Sequence, residues 1–471
     1  MKQITSDICI IGAGSGGLSV AAGAAQMGAR VVLFEADRMG GDCLHSGCVP
    51  SKAMLAAAKA AHHAAGNPAM GVTGAPPAVD FAAVKAHVAD TIAAIAPHDS
   101  VERFTGLGVT VIEERARFIA PRRVRSDSVE VTAKFFVIAT GSTAMVPPIP
   151  GLDSLPFHTN ETIFGDPEKP DHLAIIGGGP IGVEMAQAHR RLGCRVTLIE
   201  AATILAKDDP EIRAILVARL REEGIEIIEG VGVTKTGGTA GALTLTLEDG
   251  RQIEASHILV AAGRRPGITD LGLESAGIAV GRNGIITDAR LRTSDRRVFA
   301  IGDVTGRPQF THVAGYHAGI VIRNMLFRLP AKIDETYTPW VTYTDPELAH
   351  VGLAEAAAAT AWGAANIRTQ SVSLTGNDRA VAERRTEGMV KLVTHRNGRI
   401  LGATILAPQA GEMILAWSLA IGTRRKIATM AGVIAPYPTF GDAGKRAAGA
   451  FFTATLFSRR TRAIVRWLLK L

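Results

Sequence analysis

The sequence has few aromatic residues, few cysteines and no long apolar run. Phe, Trp and Tyr make up only 5% of its 471 residues, which argues against stacking platforms for single-stranded nucleic acid. Four cysteines in a chain of this length do not form the disulfide framework of a small secreted protein. The first apolar run breaks into glycines at Gly12, unlike a signal peptide, and no later run has the length of a membrane span. These absences predict a globular protein of the reducing cytoplasm.

Acidic residues are absent from the last 21 positions, although the chain as a whole is only moderately basic at a formal charge of +7. Five positive charges lie there: Arg459, Arg460, Arg462, Arg466 and Lys470. The remainder is therefore nearly neutral, and binding to nucleic acid is not implied. The pattern of residues 451–471 predicts a basic amphipathic helix, which either docks on protein or makes weak contact with a membrane surface.

The most informative stretch is GGDCLHSGCVPSK at residues 40–52. Cys43 and Cys48 enclose four residues, and a disulfide across so short a loop stabilises little and is better suited to being reduced. Pro50 and Ser51 predict the first turn of a helix, whose dipole would favour a thiolate. The alternatives are two buried thiols or half of a metal site. A zinc site needs a second ligand pair, which the sequence lacks.

Two stretches carry the fingerprint of dinucleotide-binding folds. In the first, an apolar run leads into Gly12, Gly14 and Gly17, a helical pattern follows, and a second apolar run ends in Glu35. In the second, the same features recur at Gly177, Gly179, Gly182 and Glu200. Both spacings, 12 to 35 and 177 to 200, are 23 positions. Such glycines bring a pyrophosphate to a helix N-terminus, and the acid binds a ribose diol. The alternative is a pair of glycine-rich turns in ordinary α/β packing.

Other segments indicate how the chain is divided. PPIPG at 147–151 is typical of a linker, and the apolar run at 297–301 ends in Gly302 and Asp303, where ligands meet an open α/β sheet. A helix N-cap is the structural alternative for Asp303. After about Tyr337 the pattern changes to that of an antiparallel sheet with helices. Cys9 and Cys194 lie in or beside apolar runs and are predicted to be buried thiols.

With these motifs together, the chain resembles the class I pyridine nucleotide–disulfide oxidoreductases, which include dihydrolipoamide dehydrogenase, glutathione reductase and mercuric reductase. The match extends over about residues 4–450 and has four motifs in family order: IGAGSGG, GGDCLHSGCVPSK, GGGPIGVE and AIGD. The resemblance implies an α/β fold with two Rossmann-like dinucleotide-binding domains and a C-terminal α+β dimerisation domain. The implied domains are an FAD-binding first segment 1–150, an NAD(P)-binding domain 151–266, a returning FAD segment 267–336, a dimerisation domain 337–450 and the basic tail 451–471.

The resemblance also implies roles for particular residues. Lys52 and Glu184 match an ion pair beside flavin N5. NADH would reduce the flavin, which would open the Cys43–Cys48 disulfide; Cys48 would stay against the flavin as a thiolate, and Cys43 would exchange with substrate. The positions matched to FAD contacts are Gly12, Gly14, Gly17, Glu35, Gly41, Lys52, Ala116, Thr140, Gly141, Asp303 and Thr311. Those matched to the nicotinamide nucleotide are Gly177, Gly179, Gly182, Glu200 and Gly263.

The sequence departs from the family pattern at two places. Pro180 stands where many members place a tyrosine that gates the nicotinamide pocket. In APYPTFGD, Tyr437 stands for the catalytic histidine and Asp442 for its glutamate. Mercuric reductases are similar at this tyrosine, but the chain lacks their C-terminal cysteine pair and N-terminal metal-binding domain. His45, two residues after Cys43, is a candidate substitute base, or simply a loop residue.

These features predict an enzyme that passes electrons from NADH through FAD and the cysteine pair to a metal ion or small oxidant, working as a homodimer. NADPH is less favoured, because Glu200 would repel its 2′-phosphate and AATILAK offers no arginine. The alternatives are dihydrolipoamide dehydrogenase activity and, in a different class, a non-catalytic flavoprotein redox sensor.

Overall fold

The N-terminal unit is built on a mainly parallel sheet. The computed structural model describes residues 1–75 and 77–471. Strand Lys2–Ile11 pairs in parallel with Val31–Phe34 and Val129–Ile138, and its end is buried without alternation, as in a sheet covered on both faces. In order across the sheet, the strands are Val109–Ile112, Val31–Phe34, Lys2–Ile11, Val129–Ile138, Arg123–Arg125 and Arg117–Ala120.

A distant segment completes this sheet. Strand Val298–Ala300 pairs in parallel with Val129–Ile138, and helix Thr311–Met325, which follows it, packs against helix Ser15–Gln26. The helices of the unit are Ser15–Gln26, Gly41–His45, Cys48–Ala64, Phe81–Ile95, Val101–Gly106 and Thr311–Met325. The chain therefore leaves the first unit and returns to it.

The second unit repeats the parallel arrangement on a smaller scale. Strand His172–Ile176 lies between Arg195–Glu200 and His257–Val260, and Glu226–Glu229 extends the sheet. Its helices are Pro180–Arg191 and Pro210–Glu222. An antiparallel sheet of Val233–Thr239, Ala242–Leu247 and Gln252–Ala255 covers one side. Short ribbons pair Gly66–Asn67 with Val72–Thr73, Ser142–Ala144 with Arg264–Pro266, and Val280–Gly281 with Gly284–Ile285.

The C-terminal unit is an antiparallel sheet backed by helices, as the sequence predicts. Its strands, in order across the sheet, are Pro339–Thr342, Glu347–Gly352, Ile400–Ala407, Met389–His395 and Ile367–Ser373. Its helices are Glu355–Trp362, Asp378–Ala382, Ala410–Gly422, Ile427–Gly432, Asp442–Leu456 and Arg459–Leu468. The last two are separated at Phe457 and Ser458, so the tail is not one continuous helix.

Some local predictions need correction. The sequence pattern of residues 108–119, GVTVIEERARFI, predicts one strand, but the stretch contains two strands separated by residues 113–116. The helix predicted to start at Pro50 begins at Cys48, and a short helix Gly41–His45 lies inside the redox loop. Asp303 is in the 3₁₀ turn Gly302–Thr305 and does not cap helix Thr311–Met325, whose N-cap is Phe310. Cys9 and Cys194 are fully buried, as predicted.

The three units share a continuous hydrophobic core. Met54 of the first unit, Val183 of the second and Leu406 of the third belong to one buried cluster. At its edge Arg191 makes ion pairs with Glu223 at 2.8 Å and with Asp345 at 3.0 Å. The relative placement of the units is thus fixed by packing as well as by charge. Of the helices in the described residues, none combines the length and the apolar character that crossing a bilayer requires.

Candidate active site

A large cavity of about 2280 Å³ lies between the two parallel units. It is larger than the roughly 300–1,000 Å³ typical of a site for one small molecule. Seventeen of the residues matched to family roles line it: Gly12, Gly14, Glu35, Gly41, Cys43, Cys48, Lys52, Ala116, Thr140, Gly141, Gly177, Gly179, Glu184, Glu200, Gly263, Asp303 and Thr311. Its volume and its walls suit two dinucleotides that meet near the cysteines.

The first glycine turn is shaped for a close approach of backbone. Gly12 has a φ of +103°, and a Cβ on Gly17 would come within 1.9 Å of the Gly12 carbonyl oxygen. Gly17 is therefore a packing residue that does not line the cavity. Gly14 is the N-cap of helix Ser15–Gln26, and no side chain caps the helix there. The first backbone N–H groups of the helix therefore have no side-chain partner and can bind an anion. Dinucleotide-binding folds bind a pyrophosphate in this way.

The second glycine turn has nearly the same geometry. Gly177 has a φ of +114°, and a Cβ on Gly182 would come within 2.0 Å of the Gly177 carbonyl oxygen. Gly179 is the N-cap of helix Pro180–Arg191, and again no side chain caps the helix. Because both uncapped helix ends border the same cavity, the residues present fit one dinucleotide in each unit.

The two acids that end the second strands are held in matching ways. Glu35 accepts hydrogen bonds from the N–H of Ala13 at 2.6 Å and of Ala36 at 2.8 Å. Glu200 accepts hydrogen bonds from the N–H of Gly178 at 2.7 Å and of Ala202 at 2.9 Å. Each carboxylate is thereby fixed beside its glycine turn. The two motifs therefore share their hydrogen bonds as well as their sequence spacing.

The two cysteines lie on consecutive helices at the cavity wall. Cys43 is on helix Gly41–His45, and Cys48 is the first residue of helix Cys48–Ala64. Both are free thiols, and they share a hydrogen bond. That bond from Cys43 is the main cause that lowers the pKa of Cys48 to about 6, with further help from the Thr311 hydroxyl and the Lys52 charge. The same bond raises the pKa of Cys43, so the pair has one acidic and one protonated sulfur.

This asymmetry predicts a pH dependence. In the two-electron-reduced, FAD-loaded enzyme, we expect long-wavelength absorption from the Cys48 thiolate beside the flavin above about pH 6. The band should disappear as the pH falls through that value, because protonation removes the donor. An anaerobic spectrophotometric pH titration measures the midpoint. Cys43→Ala removes the main stabilising bond and should raise the midpoint; an unchanged midpoint in that variant would contradict the assigned cause.

Lys52 and Glu184 form an ion pair, with 2.9 Å between Nζ and Oε2. Glu184 is almost fully buried, and its other oxygen accepts a hydrogen bond from the backbone N–H of Tyr343 at 2.9 Å. The Lys52 ammonium also lies 4.4 Å from the centre of the Tyr343 ring. The sequence predicted the pair but not the tyrosine, which follows strand Pro339–Thr342 and comes from the third unit.

A polar network around Asp303 was also missed by sequence reasoning. The Ser142 hydroxyl donates to Asp303 at 2.5 Å, and Arg264 Nε donates to the same hydroxyl at 2.7 Å. Arg264 also makes an ion pair with Asp42 at 3.2 Å. Burial raises the pKa of Asp303. The network joins the redox loop, the returning segment and the end of the second unit, over separations that no sequence pattern encodes.

Other matched positions have structural as well as cavity-lining roles. The Thr140 hydroxyl donates to the Gly267 carbonyl at 2.7 Å. Gly141 and Gly41 have positive φ, and a Cβ on Gly41 would come within 2.9 Å of Gly14 Cα. Thr311 begins helix Thr311–Met325, with its hydroxyl 3.5 Å from the Cys48 sulfur. His45 donates from Nε2 to the Met39 carbonyl at 2.8 Å, so that nitrogen is occupied.

Tyr437 and Asp442 do not line the cavity. Tyr437 is 69% exposed, and its hydroxyl donates to Asp378 at 2.6 Å, which raises its pKa. Asp442 starts helix Asp442–Leu456 and accepts a hydrogen bond from Arg446 at 2.6 Å. Within one chain these two residues are separate from Cys43 and Cys48.

Taken together, the two dinucleotide folds, the shared cavity and the acidic thiol define a dinucleotide-dependent thiol oxidoreductase. Residues 6–318 match the family described as pyridine nucleotide-disulphide oxidoreductase, and residues 338–448 match its dimerisation domain. The chain belongs to this family, whose members are FAD- and pyridine-nucleotide-dependent enzymes.

Similar proteins agree with this assignment. The chain is 37% identical to mercuric reductase of Streptomyces lividans, over 94% of this chain and 96% of that protein. It is 35% identical to mercuric reductase of Staphylococcus aureus, over 94% of this chain and 82% of that protein. Among solved structures, it is similar to the HOCl-induced flavoprotein disulfide reductase RclA of Escherichia coli, including a Cu(II) complex, with a TM-score of 0.84 and 28% identity over 93% and 98%. It is also similar to LpdA of Mycobacterium tuberculosis, with a TM-score of 0.86 and 26% identity over 96% and 99%.

Proposed function

We propose that the protein uses NADH to reduce a thiophilic metal ion through FAD and the Cys43–Cys48 pair, as a mercuric-reductase-like enzyme. The observation that carries the proposal is the position of an acidic thiol, Cys48, in the cavity that both dinucleotide folds share. The names of the relatives add the substrate class: several are mercuric reductases, and one structural neighbour was solved with Cu(II).

The chain's own residues have distinct tasks in this proposal. The helix ends at Gly14 and Gly179 hold the two pyrophosphates, while Glu35 and Glu200 orient the riboses. Bound FAD would supply a hydride acceptor that passes two electrons to the cysteine pair. Lys52 provides a positive charge next to the thiols and is held in place by Glu184. Cys43, the other sulfur, meets the substrate.

The thiol pair suits a soft metal ion for a chemical reason. Thiolates are the protein ligands that such ions prefer. The balanced reaction for mercuric ion is NADH plus Hg²⁺ giving NAD⁺, Hg⁰ and H⁺, so two electrons leave the nicotinamide and one proton is released. This reaction needs no protein base to deprotonate a dithiol substrate, and it therefore agrees with a tyrosine at position 437.

The proposal is tested on the FAD-loaded enzyme under anaerobic conditions. NADH titration should reduce it by more than one two-electron step, since both the flavin and the disulfide accept electrons. Mercuric ion, lipoamide, glutathione disulfide and quinones are then compared as oxidants. We expect mercuric ion to be reduced with the highest kcat/KM, and faster turnover of lipoamide would instead support dihydrolipoamide dehydrogenase. Absence of turnover with every oxidant would support a redox sensor.

We expect NADH to be preferred over NADPH. The Glu200 carboxylate is fixed by two backbone N–H groups at the place where the ribose is read, so a 2′-phosphate would meet a like charge. Such repulsion costs several kcal/mol, which predicts at least about a tenfold difference in kcat/KM. Steady-state kinetics with both nucleotides measures it. Glu200→Gln should narrow the difference, whereas equal or better efficiency of the native enzyme with NADPH would contradict the reading.

We further propose that the working unit is a homodimer of the reducing cytoplasm. The match to the dimerisation domain supports the homodimer, as does the exposure of Ile434 and Tyr437 in one loop. Two unpaired buried thiols, Cys9 and Cys194, support the reducing compartment. In a dimer the loop with Tyr437 would face the partner's cysteine pair. Sedimentation of the FAD-loaded enzyme should give a dimer, and a fully active monomer would contradict this prediction.

A further inference from the structure

Three side chains outside the cavity converge on one carboxylate oxygen. Asp166 Oδ2 lies 2.9 Å from His158 Nε2 and 3.7 Å from His257 Nε2. One potential ligand atom from each of the three residues lies within 4.8 Å of the others. The two imidazole rings are nearly parallel, at 14°, and their side chains are mostly buried. His257 starts strand His257–Val260, whereas the other two residues precede the first strand of the second unit.

The hydrogen bonds around Ser256 determine the tautomer of His257. The Ser256 hydroxyl donates its proton to the His172 carbonyl at 3.0 Å. Its oxygen can therefore only accept from His257 Nδ1, at 2.9 Å. In the neutral ring this leaves a lone pair on Nε2 that faces the Asp166 carboxylate. Two electron-rich groups in that position repel each other unless a cation lies between them.

We propose that His158, Asp166 and His257 bind a divalent transition-metal ion, with Zn²⁺ as the probe. Tetrahedral zinc with bonds of 2.0–2.2 Å separates neighbouring ligand atoms by roughly 3.3–3.6 Å, and the observed 2.9 and 3.7 Å bracket that range. Both Nδ1 atoms are hydrogen-bonded to hydroxyls, of Thr162 and Ser256, which orients Nε2 toward a metal.

The surroundings supply a further ligand. Glu168 is largely exposed, with Oε2 4.0 Å from His257 Nε2, and it can complete the coordination from the solvent side. The Lys85 ammonium of helix Phe81–Ile95 donates to the Ile163 carbonyl at 2.6 Å in the same segment. A bound ion would therefore strengthen the segment 158–166, which contacts helix Phe81–Ile95 of the first unit and strand His257–Val260 of the second.

The test uses FAD-loaded enzyme carrying Cys43→Ser and Cys48→Ser, so that the thiols do not bind the probe. Isothermal titration should show one Zn²⁺ per subunit, and Co²⁺ should give the visible absorption of a tetrahedral site. Asp166→Asn and His257→Gln should each weaken binding at least tenfold. His87→Gln, an exposed histidine outside the cluster, should leave binding unchanged.

Two results would overturn this assignment. One is the absence of stoichiometric Zn²⁺ and Co²⁺ binding to the enzyme that carries Cys43→Ser and Cys48→Ser. The other is unchanged binding in both Asp166→Asn and His257→Gln. Circular dichroism and the bound-flavin spectrum establish that each variant is folded. If one of the two unfolds, the other decides the question, because each removes a different ligand.

A separate observation concerns the tail helix, Arg459–Leu468. The helix contacts Asp442–Leu456, and none of its residues is buried. Ile464, Trp467 and Leu468 are at least half exposed, as is Phe457 just before the helix. A row of large apolar side chains that is at least half exposed on a monomer normally marks an interaction surface.

The tail helix is divided lengthwise into two faces. At 100° per residue, Arg459, Arg462 and Arg466 lie on one side, while Arg460 lies at the N-terminal end of the opposite side. Ile464, Trp467 and Leu468 follow the i, i+3, i+4 spacing and lie on the other side. No acid occurs among residues 451–471, so the polar face has a single sign of charge.

We infer that the tail helix binds the surface of an anionic lipid bilayer. Its basic face matches anionic headgroups, and its apolar face with a tryptophan is suited to the interface just below them. The helix would lie in the plane of the surface, and it would bring the enzyme to the membrane without spanning it.

Flotation of the FAD-loaded enzyme with vesicles tests this inference. Binding should be strong with phosphatidylglycerol mixed into phosphatidylcholine and weak with phosphatidylcholine alone. Ile464→Asp with Leu468→Asp should abolish it, and Arg462→Glu with Arg466→Glu should reduce it at least tenfold. The matched control, Arg117→Glu with Arg396→Glu, changes net charge equally at exposed sites elsewhere and should bind normally.

Trp467 gives a second readout, since its emission should shift to shorter wavelength on binding and the shift should vanish in Trp467→Phe. Removal of residues 458–471 distinguishes a lipid surface from a second copy of the chain. Loss of the dimer in sedimentation, together with no vesicle binding by the full chain, would show that the tail helix packs on the partner and would overturn the inference. Equal binding to both vesicle types would also overturn it.

Discussion

Cys48→Ser is expected to eliminate the long-wavelength absorption that appears when the FAD-loaded enzyme is reduced by two electrons. The thiol has a pKa of about 6, so at neutral pH it is a thiolate, whereas a serine hydroxyl stays protonated. Turnover of any oxidant should fall by roughly 10³-fold or more, as occurs when a residue of covalent catalysis is removed. Anaerobic titration with NADH measures the band, and steady-state kinetics measures turnover.

Two other cysteine variants make this result specific. Cys43→Ser should also lose turnover but should retain a thiolate at Cys48, so its long-wavelength absorption should be visible even before reduction. Cys194→Ser changes a buried thiol outside the cavity and should behave as the native enzyme. Persistence of the band in Cys48→Ser would contradict the assignment of the two sulfurs.

Tyr437→His is expected to raise lipoamide turnover by about 10²-fold, the lower range for a positioned general base. The native tyrosine donates to Asp378, and that bond raises its pKa, so it is a hydrogen-bond donor and not a base at neutral pH. Reduction of mercuric ion needs no such base and should change little or decrease. Parallel kinetics with lipoamide and mercuric ion measure both effects. Tyr437→Phe is the matched control and should not raise lipoamide turnover.

His45→Ala tests the other candidate for the base. His45 Nε2 is bonded to the Met39 carbonyl, so only Nδ1 could accept a proton. If His45 acts as the base, His45→Ala should lower dithiol exchange while flavin reduction by NADH stays nearly unchanged. Strong lipoamide turnover by the native enzyme that is unaffected by His45→Ala would defeat both the His45 and the Tyr437 explanations.

The features that could be predicted from the sequence are local. The glycine turns at Gly12 and Gly177 are encoded within about two dozen residues, and strand, turn, helix and acid each leave a recognisable pattern. The start of helix Cys48–Ala64 was predicted within two residues, because Pro50 is typical of a first turn. The short helix Gly41–His45 was missed, since five residues containing glycine show no periodicity.

The features that could not be predicted depend on contacts between distant segments. Ser142 and Asp303 are 161 residues apart, and Tyr437 and Asp378 are 59 apart. Neither pair has a spacing that indicates an interaction, because the sheet order and domain packing bring them together. The roles proposed for Tyr437 and Asp442 are still less accessible, since they require a second copy of the chain.

The environment of Glu184 constrains how this enzyme can be recombined with its relatives. One carboxylate of the second unit holds an ammonium from the first and a backbone amide from the third, at Tyr343. A chimera that exchanges the C-terminal domain would therefore keep Glu184, and with it the Lys52 ammonium, in position only if the incoming segment presents an N–H group at the same place. Junctions placed after residue 345 retain that amide, whereas junctions between 337 and 343 put the donor at risk before any catalytic side chain is changed.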